Sequence, residues 1–374
     1  MEAGLSEALD HAVRRLERSL DGLRAARANG VLPHVTENGR WELLSPLDEE
    51  GAALTGLPWT GGFVPGQLWL GSRLPGHAQL AEEARAATEL LAPRAAQPTT
   101  HDLGFLFWPS AVLGYLATGD EAFRELGLEA ASSLIERVTP AGVIQAIGSL
   151  DDPGYRGRVI VDTLPNLLLL WWAEREGLEG AASVASAHVN ASLRALFRED
   201  GSTFHACRFE DDGTVSELGT INGYSRDSTW ARGQAWAIRG LVSAFRATGD
   251  PELLAAAERS AGWFVERLPG DGIAPWDFDA PRGPEDASAG AIVASALFDL
   301  PGRRDDGIAL LGALVDRCLN RGDEDGLLLH CCYRYPVRKA LDSATVWGDF
   351  FFLDALLHAV EPESRLDPLQ GDRR

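Results

Sequence analysis

Ala117-Thr118-Gly119-Asp120 recurs, residue for residue, as Ala247-Thr248-Gly249-Asp250. Glycine adopts the left-handed backbone that ends a helix, because it has no Cβ to clash. Aspartate accepts the unpaired N–H groups that open the next helix. Each tetrapeptide is therefore read as a tight turn between two antiparallel helices. In both copies the helix before the turn begins with a chemically rich block, His101-Asp102 in one and Asp227–Trp236 in the other. The helix after the turn is rich in Ala, Leu, Glu and Arg, as an outer, solvent-facing helix is. Apolar inner helices paired with amphipathic outer ones predict an α/α toroid, an all-α fold.

Helical periodicity dominates the rest of the chain and predicts helices near 4–28, 76–92, 100–117, 121–138, 163–176, 178–198, 228–247, 251–267, 286–299, 304–319 and 344–359. Asn29-Gly30 followed by Pro33 is a helix stop. Strand-like alternation is confined to short pieces near 40–45, 203–209 and 327–333. No Ser/Pro/Gly-rich linker divides the chain, so residues 1–374 are expected to form one domain. In a toroid the inner helices start at one rim. The loops at 55–75, 148–158, 210–227 and 269–285, rich in Gly, Pro and aromatics, are candidates for the wall of a funnel there.

The chain has 374 residues, 45% of them hydrophobic, enough for a large core, and a formal net charge of −21. That charge argues against nucleic acid or an anionic membrane surface as partner. It also means that an acidic ligand needs a local positive site. The four cysteines, Cys207, Cys318, Cys331 and Cys332, lack zinc-type spacing, and a vicinal pair is a poor structural disulfide. Reduced thiols and a cytoplasmic location are the expectation. Residues 1–24 carry a helical stripe of Leu and Val mixed with acids, unlike a signal peptide or a membrane span.

The block Asp227-Ser228-Thr229-Trp230-Ala231-Arg232-Gly233-Gln234-Ala235-Trp236 concentrates recognition chemistry. Asp227 or Ser228 is placed to cap a helix start. Beyond it stand two indole faces (Trp230, Trp236), a guanidinium fork for a carboxylate or sulfate (Arg232) and an amide that donates and accepts (Gln234). Aromatic faces beside planar polar groups suit a sugar, above all an acidic one. The competing reading is a Trp-rich buried helix whose Arg232 is neutralised by an internal acid.

Asp102, Asp162 and Asp227 each sit where an apolar helix begins, and an N-cap is the plain reading of all three. His101 beside Asp102 marks a polar spot. Asp162 follows Val159-Ile160-Val161 and precedes Leu164, a poorly solvated setting. Desolvation raises a carboxyl pKa and a helix N-terminus lowers it, so such a group can work as both acid and base.

The ordered set Trp59–Gly66, His101-Asp102-Leu103-Gly104-Phe105, Ile160-Val161-Asp162, Asp227–Trp236, Trp276–Pro281 and Trp347-Gly348-Asp349-Phe350-Phe351 resembles the unsaturated glucuronyl hydrolases of glycoside hydrolase family 88. The resemblance runs from about Trp59 to Leu357. It implies an (α/α)6 barrel of six hairpins, monomeric or homodimeric, that needs no metal and no cofactor. It implies catalytic roles for Asp162, as general acid/base, and Asp102, as the second carboxylate. Substrate contacts are implied for His101, His205, Trp230, Arg232, Gln234 and Trp236. The implied substrate is a lyase-generated oligosaccharide with a 4,5-unsaturated glucuronic acid at its non-reducing end, released by hydration of the vinyl ether. Two alternatives share the architecture: an unsaturated galacturonyl or rhamnogalacturonyl hydrolase, and a non-catalytic binding toroid.

The chain departs from the family pattern at several places. Val64 and Ile147 stand where an aromatic is usual. Asp151–Arg158 is charged and Gly-rich. Cys331–Lys339 carries Arg334, Arg338 and Lys339, read either as a solvated basic loop or as a site for a sulfate or second uronate.

Overall fold

The computed structural model describes residues 2–47 and 58–370. Six helical hairpins close into a ring among them. The inner helices are Phe63–Ser72, a broken helix from Leu103 to Thr118, the pair Thr163–Asn166 and Leu168–Arg175, then Ala231–Thr248, Ala287–Phe298 and Val346–Val360. Outer partners Leu80–Leu91, Glu121–Ile135, Ala181–Leu196, Pro251–Glu266 and Arg304–Arg317 follow the first five in sequence. The N-terminal helix Glu2–Ala28 packs on the last inner helix and completes the sixth hairpin. Each inner helix touches the next, and Val346–Val360 returns to Phe63–Ser72, so the fold is an (α/α)6 barrel. Among the described residues no helix is long and apolar enough to cross a membrane.

The helix pattern follows burial. Ala287–Phe298 is buried along nearly its whole length, as a helix apolar on every side must be. Both repeated turns behave as read. Gly119 (φ 69°) and Gly249 (φ 73°) take the left-handed conformation, while Asp120 accepts the Ala122 N–H at 3.0 Å and Asp250 that of Glu252 at 2.8 Å. Each such cap contributes about 1 kcal/mol.

Beyond 327–333, which forms isolated bridges in place of a strand, two further differences from expectation stand near the site. Phe63–Ser72 is a helix, although the sequence reading assigned 55–75 to a loop; residues 55–57 of that loop lie outside the described residues. Pro65 and Gly66 disguised it, but proline is tolerated in a helix's first turn, where no N–H partner is lost. The second concerns Asp227 and Ser228, neither of which caps a helix. The helix starts at Ala231, whose N–H donates to the Trp276 carbonyl, and Asp227 pairs on the surface with Arg226.

A three-stranded antiparallel sheet at the rim, Arg158–Ile160, Ala206–Phe209 and Val215–Gly219, sets the position of the site. Its register pairs Ile160 with Ala206 and Ala206 with Gly219. Asp162, His205 and Thr220 therefore leave the sheet together at one end. The Val161 N–H donates to the His205 carbonyl at 2.9 Å and holds that end closed.

Candidate active site

Two helix starts meet beside this sheet. Asn166 ties them: its Oδ1 accepts the Phe105 N–H at 2.5 Å, and its Nδ2 donates to the Asp162 carbonyl at 2.9 Å. Asp102 and Asp162 occupy the N-cap positions of these helices, yet neither side chain caps. Both carboxylates are thus released from the local role the sequence offered them and line one cavity of about 270 Å³. Trp59, His101, Phe105, Ile147, Trp230 and Arg232 share its wall.

The two carboxylates have different surroundings. Asp102 Oδ2 accepts from Thr100 Oγ1 at 3.0 Å, and Oδ1 lies 3.4 Å from His101 Nε2. Burial pushes the Asp102 carboxyl above its usual range, while His101 and Thr100 pull it back. Burial lowers the His101 imidazole against the pull of both aspartates, and its Nδ1 shares a 2.7 Å hydrogen bond with Thr163. Asp162 is more open, its side chain 16% exposed. Asp162 Oδ2 and His205 Nε2 face each other at 3.5 Å, and neither has a hydrogen-bond partner.

Arg232 follows both readings that the sequence offered. Its side chain is 2% exposed and lines the cavity, and its fork is held by Asp286 (2.7 Å) and by the carbonyls of Cys332 and Tyr333. The guanidinium carbon also lies 4.7 Å from the Trp230 ring centre and 5.2 Å from that of Trp347. Burial raises the Asp286 carboxyl, and Arg232 opposes the rise. The buried pair is thus a fixed dipole at the cavity wall; removing one partner would leave the other charge uncompensated.

No protein-family model matches the chain. A curated unsaturated glucuronyl hydrolase from Bacillus sp. (strain GL1) is 38% identical over 276 residues, 69% of this chain and 73% of the relative. The chain belongs to the unsaturated glucuronyl hydrolase family. It is a glycoside hydrolase by that membership. A solved structure of a variant of such an enzyme with dGlcA-Glc-Rha-Glc superposes with a TM-score of 0.88 at 33% identity, covering 96% of this chain and 97% of that one. Another, a variant from Streptococcus agalactiae complexed with dGlcA-GalNAc6S, gives 0.77 at 27% identity, covering 97% and 93%.

The cavity gathers Asp102, Asp162, His101, Trp230 and Arg232, with His205 directly behind Asp162. It does not gather Gln234 or Trp236. The Gln234 amide is buried, accepts from Thr203 and donates to the Gly201 and Ser260 carbonyls. Trp236 is fully buried against Phe105 and Phe351. Gln234, about 200° around the helix from Arg232, turns into the barrel wall, while Trp236, one turn on, shares the Arg232 face and is covered by Phe105 and Phe351.

Trp230 is not an open platform either. His205 packs against its ring at 4.7 Å, Arg232 covers it as well, and its indole N–H is buried without a partner. Tyr155, Arg158, Asn222 and Tyr333 also line the cavity, the first three from loops expected to form the wall, and behind the lining stands Asp286, the buried partner of Arg232 that the sequence analysis does not single out. Asp286 precedes the apolar run Ala287–Phe298 as Asp102 precedes its own, and that pattern was a usable signal. The basic loop divides. Lys339 pairs with Glu42 and Arg338 lies over the Tyr335 ring, while Arg334 lines the cavity. Among the described residues, no group of three or more His, Cys, Asp or Glu side chains could hold a metal ion.

Proposed function

We propose that this cavity hydrates the C4=C5 bond of a 4,5-unsaturated glucuronic acid at the non-reducing end of an oligosaccharide. The observation that carries the reading is the pair Asp102 and Asp162, two aspartates at touching helix starts, uncapped and facing one cavity. Asp162, the more exposed of the two carboxyls, acts as the acid. Its proton passes to C4, and the electron pair of the double bond forms the new C–H bond. The ring oxygen shares the positive charge left at C5. Water then attacks C5 and returns its proton to Asp162, which acts as the base. The resulting hemiketal opens to a ketone at C5 and leaves a hemiacetal at C1, whose collapse releases the remaining saccharide. Asp102 offsets the developing positive charge and is held for that task by Thr100 and His101. The aromatic wall of Trp59, Phe105 and Tyr333 encloses the sugar ring.

The relatives' complexes carry an unsaturated sugar followed by glucose in one and by a 6-sulfated amino sugar in the other. Arg158 and Arg334 line the cavity, and among the described residues neither has an acidic partner. Both are half-buried, whereas Arg232 is deep, so they stand nearer the mouth, where the leaving sugar lies. We infer a leaving sugar that carries negative charge.

The test is incubation with unsaturated disaccharides in D2O and in ¹⁸O-water. Loss of the conjugated alkene's ultraviolet absorbance, deuterium at C4 and heavy oxygen at C5 are expected. Label at C1 with the alkene intact would sink the reading, because it marks ordinary attack at the anomeric carbon.

A further inference from the structure

The turn that leaves the rim sheet after Gly219 does more than line the cavity with Ile221 and Asn222. It surrounds one nitrogen of His205. The Ile221 N–H donates to His205 Nδ1 at 3.1 Å, the Asn222 N–H lies 3.4 Å from the same atom, and Thr220 Oγ1 is 3.1 Å away. Thr220 Oγ1 accepts the Gly223 N–H at 2.8 Å, which turns its own hydrogen toward the imidazole. A hydrogen on Nδ1 would face two backbone N–H groups that cannot rotate away. In the neutral ring the hydrogen is therefore on Nε2, since the partner of one nitrogen decides which nitrogen is protonated.

We propose that Thr220 and the N–H groups of Ile221 and Asn222 clamp the His205 tautomer so that its Nε2–H points at the carboxylate of Asp162. The proposal rests on Asp162 being the acid/base. When Asp162 has given its proton to C4, the charged carboxylate closes onto the waiting Nε2–H. When it recovers a proton from water, that contact loosens. His205 keeps its hydrogen throughout, so the ring acts as a fixed donor and not as a relay. The opposite tautomer would set a lone pair against the carboxylate at the moment its charge appears. Thr220 is thus a positioning residue that acts through His205. The turn is braced from outside: Trp276 Nε1 donates to the Asn222 carbonyl at 2.9 Å, and the Tyr224 N–H donates to Asp277 at 2.8 Å. The residues of this turn that line the cavity and those that orient the histidine are therefore one segment.

The experiment is ¹⁵N NMR of the full chain with labelled histidine rings, at a pH near 8 where free imidazole is neutral. The His205 signals are identified by their disappearance in His205→Gln. The wild type should show a protonated Nε2 and a bare, hydrogen-bonded Nδ1. Thr220→Val should shift the Nδ1 signal and lower kcat about tenfold with little change in KM, the scale of losing one hydrogen bond. Thr220→Ser should restore both. A wild-type ring protonated on Nδ1 would overturn the proposal, and that measurement stands even if Thr220→Val does not fold. So would a folded Thr220→Val with wild-type ring shifts and kcat. Near-normal turnover in Asp162→Asn is a separate failure: it removes the acid/base assignment and leaves the tautomer result in place.

Discussion

Gly104 and Asn166 touch main chain to main chain: a Cβ added to Gly104 would lie 2.4 Å from the Asn166 carbonyl oxygen and 2.5 Å from its Cα. This approach brings the Asp102 and Asp162 helix starts together. Backbone cannot step aside as a side-chain tip can, so Gly104→Ala must part the two helices. A cost of about 1–3 kcal/mol follows from such overpacking. Displacing one carboxylate by about 1 Å can cost as much as 10²-fold in turnover. The expected result is a folded variant with lower Tm and a disproportionate loss of kcat. Wild-type values of both would show that the glycine is not needed for the approach.

Asp162→Asn keeps the shape of the side chain and removes the proton. Turnover should fall at least ~10²-fold, the usual scale of general acid–base catalysis, with KM within a few-fold of wild type. Steady-state kinetics on an unsaturated disaccharide check this. A loss confined to KM would make Asp162 a binding group.

The parts of this architecture that rest on local chemistry were legible in the sequence. The Gly-Asp turns carry their own caps, and the helices after them announce an exposed face by period. The paired carboxylates were also findable, because Asp102 and Asp162 stand before apolar runs. What failed depended on direction and on partners distant in sequence. Gln234 shares the helix of Arg232 but points into the wall, and Trp236, one turn past Arg232, is covered by Phe105 and Phe351. The Arg232 partner, Asp286, is 54 residues away and entered only when the barrel closed. The helix Phe63–Ser72 was hidden because burial from every side overrides the poor propensity of Pro65, Gly66 and Gly71.

Asp349 offers a pH prediction. It is 1% exposed, and its two oxygens accept the N–H groups of Leu327 and Leu328, both at 2.9 Å. Burial raises its carboxyl to about 7, against those two donors and the charge of Arg15. In the unfolded chain an aspartate titrates near 3.9. Between these values the native state holds a proton that the unfolded state has released, so this group's contribution to stability falls as pH rises from about 4 to about 7. Asp349→Asn should flatten that part of the stability curve. Near pH 4, where the native carboxyl holds its proton, it should lower stability by about 1–3 kcal/mol, because the amide leaves one backbone N–H without an acceptor, and this deficit should shrink as pH rises. Denaturant unfolding from pH 4 to 8 compares the slopes, and an unchanged slope would mean that Asp349 is ionised in the native protein throughout.

Arg158 and Arg334 test the charge of the leaving sugar. Both line the cavity, and Arg158 lies over the Tyr155 ring at 5.7 Å. A half-exposed cation meeting an anion contributes about 1 kcal/mol, which is about fivefold in affinity. Arg158→Gln and Arg334→Gln should each raise KM about fivefold for an unsaturated disaccharide with a sulfated or uronic leaving sugar. For a neutral leaving sugar KM should stay near the wild-type value, and kcat should hold for both substrates because neither arginine touches the carboxylates. Added salt should narrow the gap between the two substrates in the wild type and have less effect in the variants, since exposed charge is screened. Equal KM increases for neutral and charged substrates would place the arginines on the carboxylate of the unsaturated uronate itself. No change for either would leave them as solvated surface charge.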